Sequence, residues 1–539
     1  MERRFRDRIL YYVPVIDASD LQDPVDVARS NRPLALCASF VAAQFVPGCS
    51  WVRDRLAPLV SDLIEAVAGP LASSDDEIWS QLQAMAVLHA YGPATGVFAS
   101  TQHMHPTNYP SHWTVKSVIE TFALRLSLHR SVEVLLRDRV ENVWRTRPFQ
   151  KYVYWLWLFT MTHHFSLMVR TPPTIREDHN IQIAVGLLSD VPKPSRVTRI
   201  LAEVDLCILW NQAGRRVPGL GEWWCAPPDN VNPVETLSVL DDANAALDVW
   251  SQRWGVEGHV NYTYPDFDVR INGAVDFHCR ATRFLINTFA TRSLHRQSLA
   301  TTETTRPTKA TLQQRLADCV LQSADAAAGF CRCLLDLGPL AKDAARYMAD
   351  FGFAQISFCC LYIIHAFETF GDSFPVLISH IATVKEIAQL LVEMAVGDNH
   401  CPRLFGESIF NRLRYSTRGL LQDANDHRHS HLSPDGNGIT LERSSGGEAL
   451  TEASSRTPAD SAARSTMPTL APATWPPELE SHAGTNRDSP SLSSYRRLSL
   501  NLDHSLARRQ GDEDELFVYD PSWDLMMGTF SQCVGGGRL

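Results

Sequence analysis

The side chains able to do chemistry gather in a few places along the chain. His163 and His164 are adjacent inside an apolar run. Neighbours on a helix point about 100° apart, so this spacing predicts two buried, hydrogen-bonded imidazoles and not two ligands of one metal. His103 and His105 share the segment TQHMHP, with His112 close behind, but no Cys, Asp or Glu nearby completes a ligand set. His427, His429 and His431 alternate in DHRHSHLS, a polar stretch where metal capture would be adventitious. Asp75-Asp76-Glu77 and Asp241-Asp242 are the acidic groups most suited to a divalent cation. The first set opens a helix, where carboxylates suit the dipole, and the second has Ala245 where a further carboxylate at i+4 would be needed. No GxSxG, HExxH, GxGxxG or P-loop pattern occurs. No catalytic, cofactor-binding or metal-binding residue is assigned, and the chain is not expected to be an enzyme.

The elements that must carry these residues are organised around Lys151–Ile181, KYVYWLWLFTMTHHFSLMVRTPPTIREDHNI. Trp155, Phe159, Thr162 and Ser166 fall along one helical ridge, and Trp157, Met161, Phe165 and Met168 along the next. A helix apolar over most of its girth belongs in a protein core or a bilayer. Eighteen residues from Tyr152 to Val169 carry no formal charge, yet Thr160, Thr162, His163, His164 and Ser166 crowd the second half. A run this short with five polar groups makes a poor membrane span, so it reads as a core helix. Pro172-Pro173 stop it, and Glu177-Asp178 form a short acidic strip beyond.

The remainder reads as helix after helix. Leu34, Cys37, Val41 and Phe45 mark one face, a second helix covers about 51–68, and a third starts at Ser74, whose spacing to Glu77 fits a capping box. Val115, Ile119, Phe122 and Leu126 mark another. Past the central run, 195–215, 234–254, 269–296 and 311–336 are helical, 341–370 holds a heavily buried helix, and Val384, Ile387, Leu391 and Ala395 give the last strong one. PGLGEWWCAPPDNVNP (218–233) reads as loop. The fold class is all-α, a multi-helix globular body with a disordered C-terminal tail.

Composition is that of a globular protein, 45% hydrophobic and 20% charged. A net charge of −10 offers no basic footprint for nucleic acid. Twelve cysteines without a CxxC, many in apolar helical runs, point to a reducing intracellular compartment. Four segments follow: a turn-rich N-terminal segment (1–33), the helical body (34–421), a disordered low-complexity linker (422–511) and an acidic-hydrophobic end (512–539). In that end Asp512, Glu513, Asp514, Glu515, Asp520 and Asp524 interleave with Phe517, Trp523, Leu525 and Phe530. This pattern is typical of activation segments, and those four apolar residues are the candidate partner-binding anchors.

The body resembles the fungal-specific transcription factor domain, the middle homology region of fungal zinc-cluster regulators. RPLALCASFVAAQF, IWSQLQAMAVLHAYG and YVYWLWLFTMTHHFSLMVRTPPTIRED carry the resemblance over roughly residues 8 to 420. Trp155, Pro172, Pro173, Ile175, Glu177 and Asp178 keep the family's most recognisable segment. Tyr152 and Val153 stand where it has paired arginines, and Arg170-Thr171 where it has Gly-Arg. The resemblance implies a nuclear regulator of RNA polymerase II transcription that meets the transcription machinery through its tail. The family's six-cysteine zinc cluster has no counterpart, since the first cysteine is Cys37 inside an apolar helix. DNA is thus expected to be contacted only indirectly or through a missing N-terminal module, and zinc only with such a cluster. MERRFRDR reads as a solvated helix start or the remnant of a basic linker. No membrane partner is expected, and a homodimer is left open. The alternatives are a helical scaffold or interaction protein, and an all-α metal-dependent prenyl-converting enzyme.

Overall fold

The computed structural model describes residues 2–21, 23–68, 74–91, 112–137, 143–169, 171–189, 193, 195–225, 232–255, 269–300, 306–370, 374–397 and 400–430. Among the described residues there is no strand, and the fold is all-α. The first helices, α1 (Pro24–Ser30) and α2 (Arg32–Ala43), each carry Pro in the first turn behind an Asx cap. Asp23 accepts from the Val25 amide at 2.8 Å and Asn31 from that of Leu34 at 3.2 Å, which satisfies amides the helix cannot. After α3 (Ser50–Ala68), α4 (Asp75–Tyr91) begins where Ser74 Oγ accepts from the Glu77 amide at 3.3 Å.

The chain continues through α5 (His112–Arg125), α6 (Ser131–Arg137), α7 (Arg147–Val169), α8 (Ser195–Arg216) and α9 (Pro233–Trp254). It closes with α10 (Val269–Ala300), α11 (Arg306–Leu335), α12 (Pro339–Ala345), α13 (Asp350–Phe370), α14 (Val376–Met394) and α15 (Cys401–Ser430). The packing is serial. Helix α2 lies against α3 and α4, α4 against α5, and α7 against α6 and α8. Helix α8 also packs on α9 and α10, α10 packs on α11, and α11 on α13 and α14. Helix α8 therefore joins the N-terminal helices to the C-terminal ones.

Helix α7 is sheathed on every side. Tyr152, Tyr154, Leu156, Leu158 and Phe159 are buried, as are Trp155 and Trp157. Its hydroxyls need no outside partner, because Thr160, Thr162 and Ser166 bond to the carbonyls of Trp157, Phe159 and His163, three residues earlier, at 2.9, 3.0 and 2.7 Å. Two tyrosines of α7 bind the surroundings: Tyr154 Oη donates to the Leu82 carbonyl at 2.6 Å and Tyr152 Oη to that of Asn180 at 2.5 Å. The one described helix long and apolar enough to cross a membrane is α13, and most of it is buried inside the body.

Four details sharpen or correct the sequence reading. The N-terminal residues open in a helical turn, and Arg3, Arg4, Asp7 and Arg8 are exposed as a solvated helix start implies, but Phe5 and Ile9 are fully buried, Arg4 Nη1 donates to the Phe45 carbonyl at 2.8 Å and Arg8 pairs with Asp343 at 3.1 Å. The buried helix expected within 341–370 is α13, separated from α12 by a break at 346–349, where Tyr347 and Met348 close tight turns on Ala344 and Ala345. That break frees the Tyr347 carbonyl for Tyr91 Oη, at 2.6 Å. In PGLGEWWC, Pro218–Gly221 forms one helical turn, and Trp223 behind it is buried. Helix α15 follows the expected last helix, with Cys401, Phe405 and Ile409 inward at four-residue steps. Its other face is polar, so its apolar stripe is too narrow to stand out in the sequence.

Trp155→Ala would remove a side chain that is only 6% exposed. Chemical denaturation should show a loss of about 3–5 kcal/mol, against about 0.5 kcal/mol for a surface position.

Candidate functional site

Helix α8 carries Arg199, Glu203, Cys207, Asn211 and Arg215, a polar residue at every fourth position. Such a row forms one slightly inclined ridge, about 24 Å long at 1.5 Å per residue. Between them Ile200, Leu201, Val204, Leu206 and Trp210 are buried, so burying this face of α8 buries Glu203 and Cys207 with it. Each polar group on it meets a partner from a different part of the chain.

At the N-terminal end of the ridge, Arg199 Nη1 donates to the Tyr11 carbonyl at 3.1 Å, and the guanidinium lies 5.2 Å from the centre of the Tyr11 ring. Arg199 Nε donates to Glu203 Oε1 at 2.8 Å, with side-chain exposures of 11% and 6%. His278 of α10 brings Nε2 to 3.3 Å from the same oxygen. Burial pushes the Glu203 carboxyl up, but His278 and Arg199 outweigh it and hold the group down at about 2. Burial drives His278 downward despite Glu203. The pair is thus an ionised carboxylate and a guanidinium, with a third donor on the carboxylate.

One turn further, Cys207 faces His163 and His164 of α7. The possible ligand atoms of these three buried residues all lie within 4.8 Å of one another. Helical divergence does not keep the two apart: the imidazoles stand at 89° with centroids 5.8 Å apart, and their length lets them reach toward α8 although their Cα–Cβ bonds diverge. The His164 ring stacks on His278 at 5.2 Å, and His163 meets Trp223 at 5.1 Å and Trp210 at 6.0 Å. Burial lowers His163 to about 4 and His164 to about 3, the latter aided by His278 and His163. Both rings are neutral near pH 7. Asn211 approaches His163 closely enough to act on it as a hydrogen-bonding neighbour and raise it, while no hydrogen bond of ordinary geometry reaches either ring nitrogen of His163 or Nε2 of His164 among the described residues.

At the C-terminal end, Asn211 Nδ2 and Arg215 Nη2 donate to Glu177 at 2.8 and 2.6 Å. The acidic strip after Pro172-Pro173 is therefore a clamp: Glu177 fastens it to α8, and Asp178 caps the next turn by accepting from the Ile181 amide at 2.9 Å. Trp223 reaches His163 because Gly214 and Gly221 touch. A Cβ on Gly221 would sit 2.6 Å from the Gly214 carbonyl oxygen, so any side chain there would push the turn off α8.

A second histidine pair lies between α4 and α5. His89 and His112 stack at 4.8 Å, His112 lies on Phe165 at 4.2 Å, and none of the four ring nitrogens has a hydrogen-bonding partner among the described residues. Burial lowers both, with Lys116 adding to the effect, His112 to about 3. Lys116 is tied to Glu120 at 2.6 Å and Thr174 at 2.7 Å.

The other sequence candidates come together less. Asp242 is on the surface in an ion pair with Arg216 at 2.6 Å, and Asp76 faces Arg147 at 3.5 Å. His103, His105 and His431 lie outside the described residues, as do the partner-binding candidates Phe517, Trp523, Leu525 and Phe530. The side chains of His427 and His429 are likewise not described. The eleven described cysteines are all free thiols.

An all-helical body with a buried polar seam is the class of protein these observations define. No family model matches the chain, and no solved structure matches it. The chain is similar to the transcriptional activator of proteases prtT from Emericella nidulans, with 21% identity over 304 residues. The aligned stretch is 54% of this chain and 41% of that protein, so the chain spans less than half of its relative's length.

Buried neutral histidines make stability depend on pH. His112 takes up a proton near 6.5 when unfolded but only near 3 when folded, so its contribution is present above pH 6.5 and is lost as the pH falls through that window. Each such group adds a slope of about 1.4 kcal/mol per pH unit. Urea titrations from pH 6.5 to 4 should show stability falling, with His112→Phe flattening the fall by about that amount per unit. An unchanged slope would mean His112 is charged in the folded protein.

Proposed function

We propose that this chain is a regulator of transcription by RNA polymerase II, acts in the nucleus and belongs with the fungal transcription factors. The observation that carries this reading is the similarity to a fungal transcriptional activator over 304 residues. The sequence resemblance to the middle homology region supports it independently through the helix-then-Pro172-Pro173 segment. In this reading the helical body is regulatory and performs no catalysis. Sequence-specific DNA contact comes from a zinc-cluster module outside residues 1–539 or from a partner protein, in keeping with the net charge of −10.

The segment Asp512–Phe530 recruits the transcription machinery. Repulsion among its six carboxylates keeps Phe517, Trp523, Leu525 and Phe530 available to enter an apolar groove on the partner, in the manner of a helix that folds on contact. Ordering costs hold such a contact weak, which suits reversible recruitment.

Residues 500–539 fused to an unrelated DNA-binding domain should activate a reporter, and replacing Phe517, Trp523 and Leu525 together by Ala should abolish that activation. Activation that survives the triple substitution would exclude these anchors. A silent wild-type fusion would exclude the segment as an activator.

A further inference from the structure

We propose that His163, His164 and Cys207 bind one soft divalent cation of the zinc type between α7 and α8. The donor set is two imidazoles and one thiol, all buried, with their ligand atoms inside 4.8 Å. Nitrogen and sulfur donors select zinc-like ions over magnesium or calcium, which take oxygen. Bonds of about 2.0–2.3 Å in a tetrahedral arrangement place donors about 3.5 Å apart. Closing the cluster thus needs a contraction of about 1 Å, within the range of small side-chain rotations.

The second observation is the set of unanswered nitrogens. Both ring nitrogens of His163 and Nε2 of His164 are buried, and no hydrogen bond of ordinary geometry reaches them among the described residues. A buried polar atom without a partner is costly, and an ion is one of the few things that can answer several at once. Both rings are already neutral, the form that ligates.

The electrostatic setting suits a cation. Burial, with Glu203 and Glu177 facing it, holds the Cys207 thiol protonated. Those carboxylates oppose a lone thiolate but support a metal–thiolate unit, whose net charge is positive. Binding deprotonates Cys207 and releases that proton to solvent, while both imidazoles give lone pairs with no proton change. Trp210 and Trp223 wall the His163 side, and the His278–Glu203 contact lies behind His164, the place where a carboxylate-held layer steadies ligands. Three protein donors leave one coordination position for an exogenous ligand.

The test uses the purified full chain, stripped with a chelator and titrated with cobalt(II). The expected result is one cobalt per chain, with the visible bands of a tetrahedral ion and a thiolate-to-cobalt charge-transfer band, all displaced by zinc. Cys207→Ser should remove the charge-transfer band and His163→Gln should weaken cobalt binding at least tenfold, with helical circular dichroism unchanged. Should Cys207→Ser fail to fold, His163→Gln and His164→Gln carry the comparison. A folded wild-type chain without the charge-transfer band would overturn the proposal. So would a band that persists in all three variants, which would place the metal on other thiols.

Discussion

The buried contact between Arg199 and Glu203 is the constraint around which the body is arranged. Two charges taken out of water cost several kcal/mol each, and such a pair holds only when the remaining donors and lone pairs are answered. Here the Tyr11 carbonyl, 3.1 Å away, takes one guanidinium N–H, and His278 at 3.3 Å shares the carboxylate. Those requirements bring the N-terminal segment and α10 to α8 in one register. A neighbouring apolar contact could slide by a residue; this one cannot, because a shift strands a charge. The N-terminal segment is consequently part of the core and not a leader to it.

The same helix explains how α7 can be buried on all sides while carrying five polar residues. Three hydroxyls turn back onto their own helix, and the two histidines face the polar ridge of α8 rather than an apolar wall. Past Pro172-Pro173 the chain is drawn back to that ridge through Glu177. Two features the sequence presents separately, the His-His pair and the acidic strip, therefore belong to one seam. The seam ties α7, α8 and α10 to the N-terminal segment through contacts on one face of α8.

Much of the fold was legible in the sequence because it rests on period. The Leu34-Cys37-Val41-Phe45 face, the Ser74 start and the buried α7 run from Tyr152 to Phe159 all follow from spacing and capping chemistry. The seam was less legible because attention went to clusters adjacent in sequence, whereas its members lie four residues apart on α8 and meet partners from distant segments. The signal was present: Arg199, Glu203, Cys207, Asn211 and Arg215 recur at a constant interval along α8. Trp223 was missed for a different reason. Its Pro- and Gly-rich surroundings indicate a turn, while the paired tryptophans in it indicate burial, and the Gly214–Gly221 contact satisfies both. Helix α15 was missed because the apolar residues on its inward face, Cys401, Phe405 and Ile409, are few among polar neighbours.

The most direct measurement is a double-mutant cycle on Arg199 and Glu203 by equilibrium denaturation. If the pair organises the seam, Arg199→Met and Glu203→Leu should each cost about 3–5 kcal/mol, because each leaves a buried charge unanswered, and the double variant should recover much of that loss. Single losses below about 1 kcal/mol that simply add in the double variant would mark an ordinary solvent-screened pair and contradict the central place given to it.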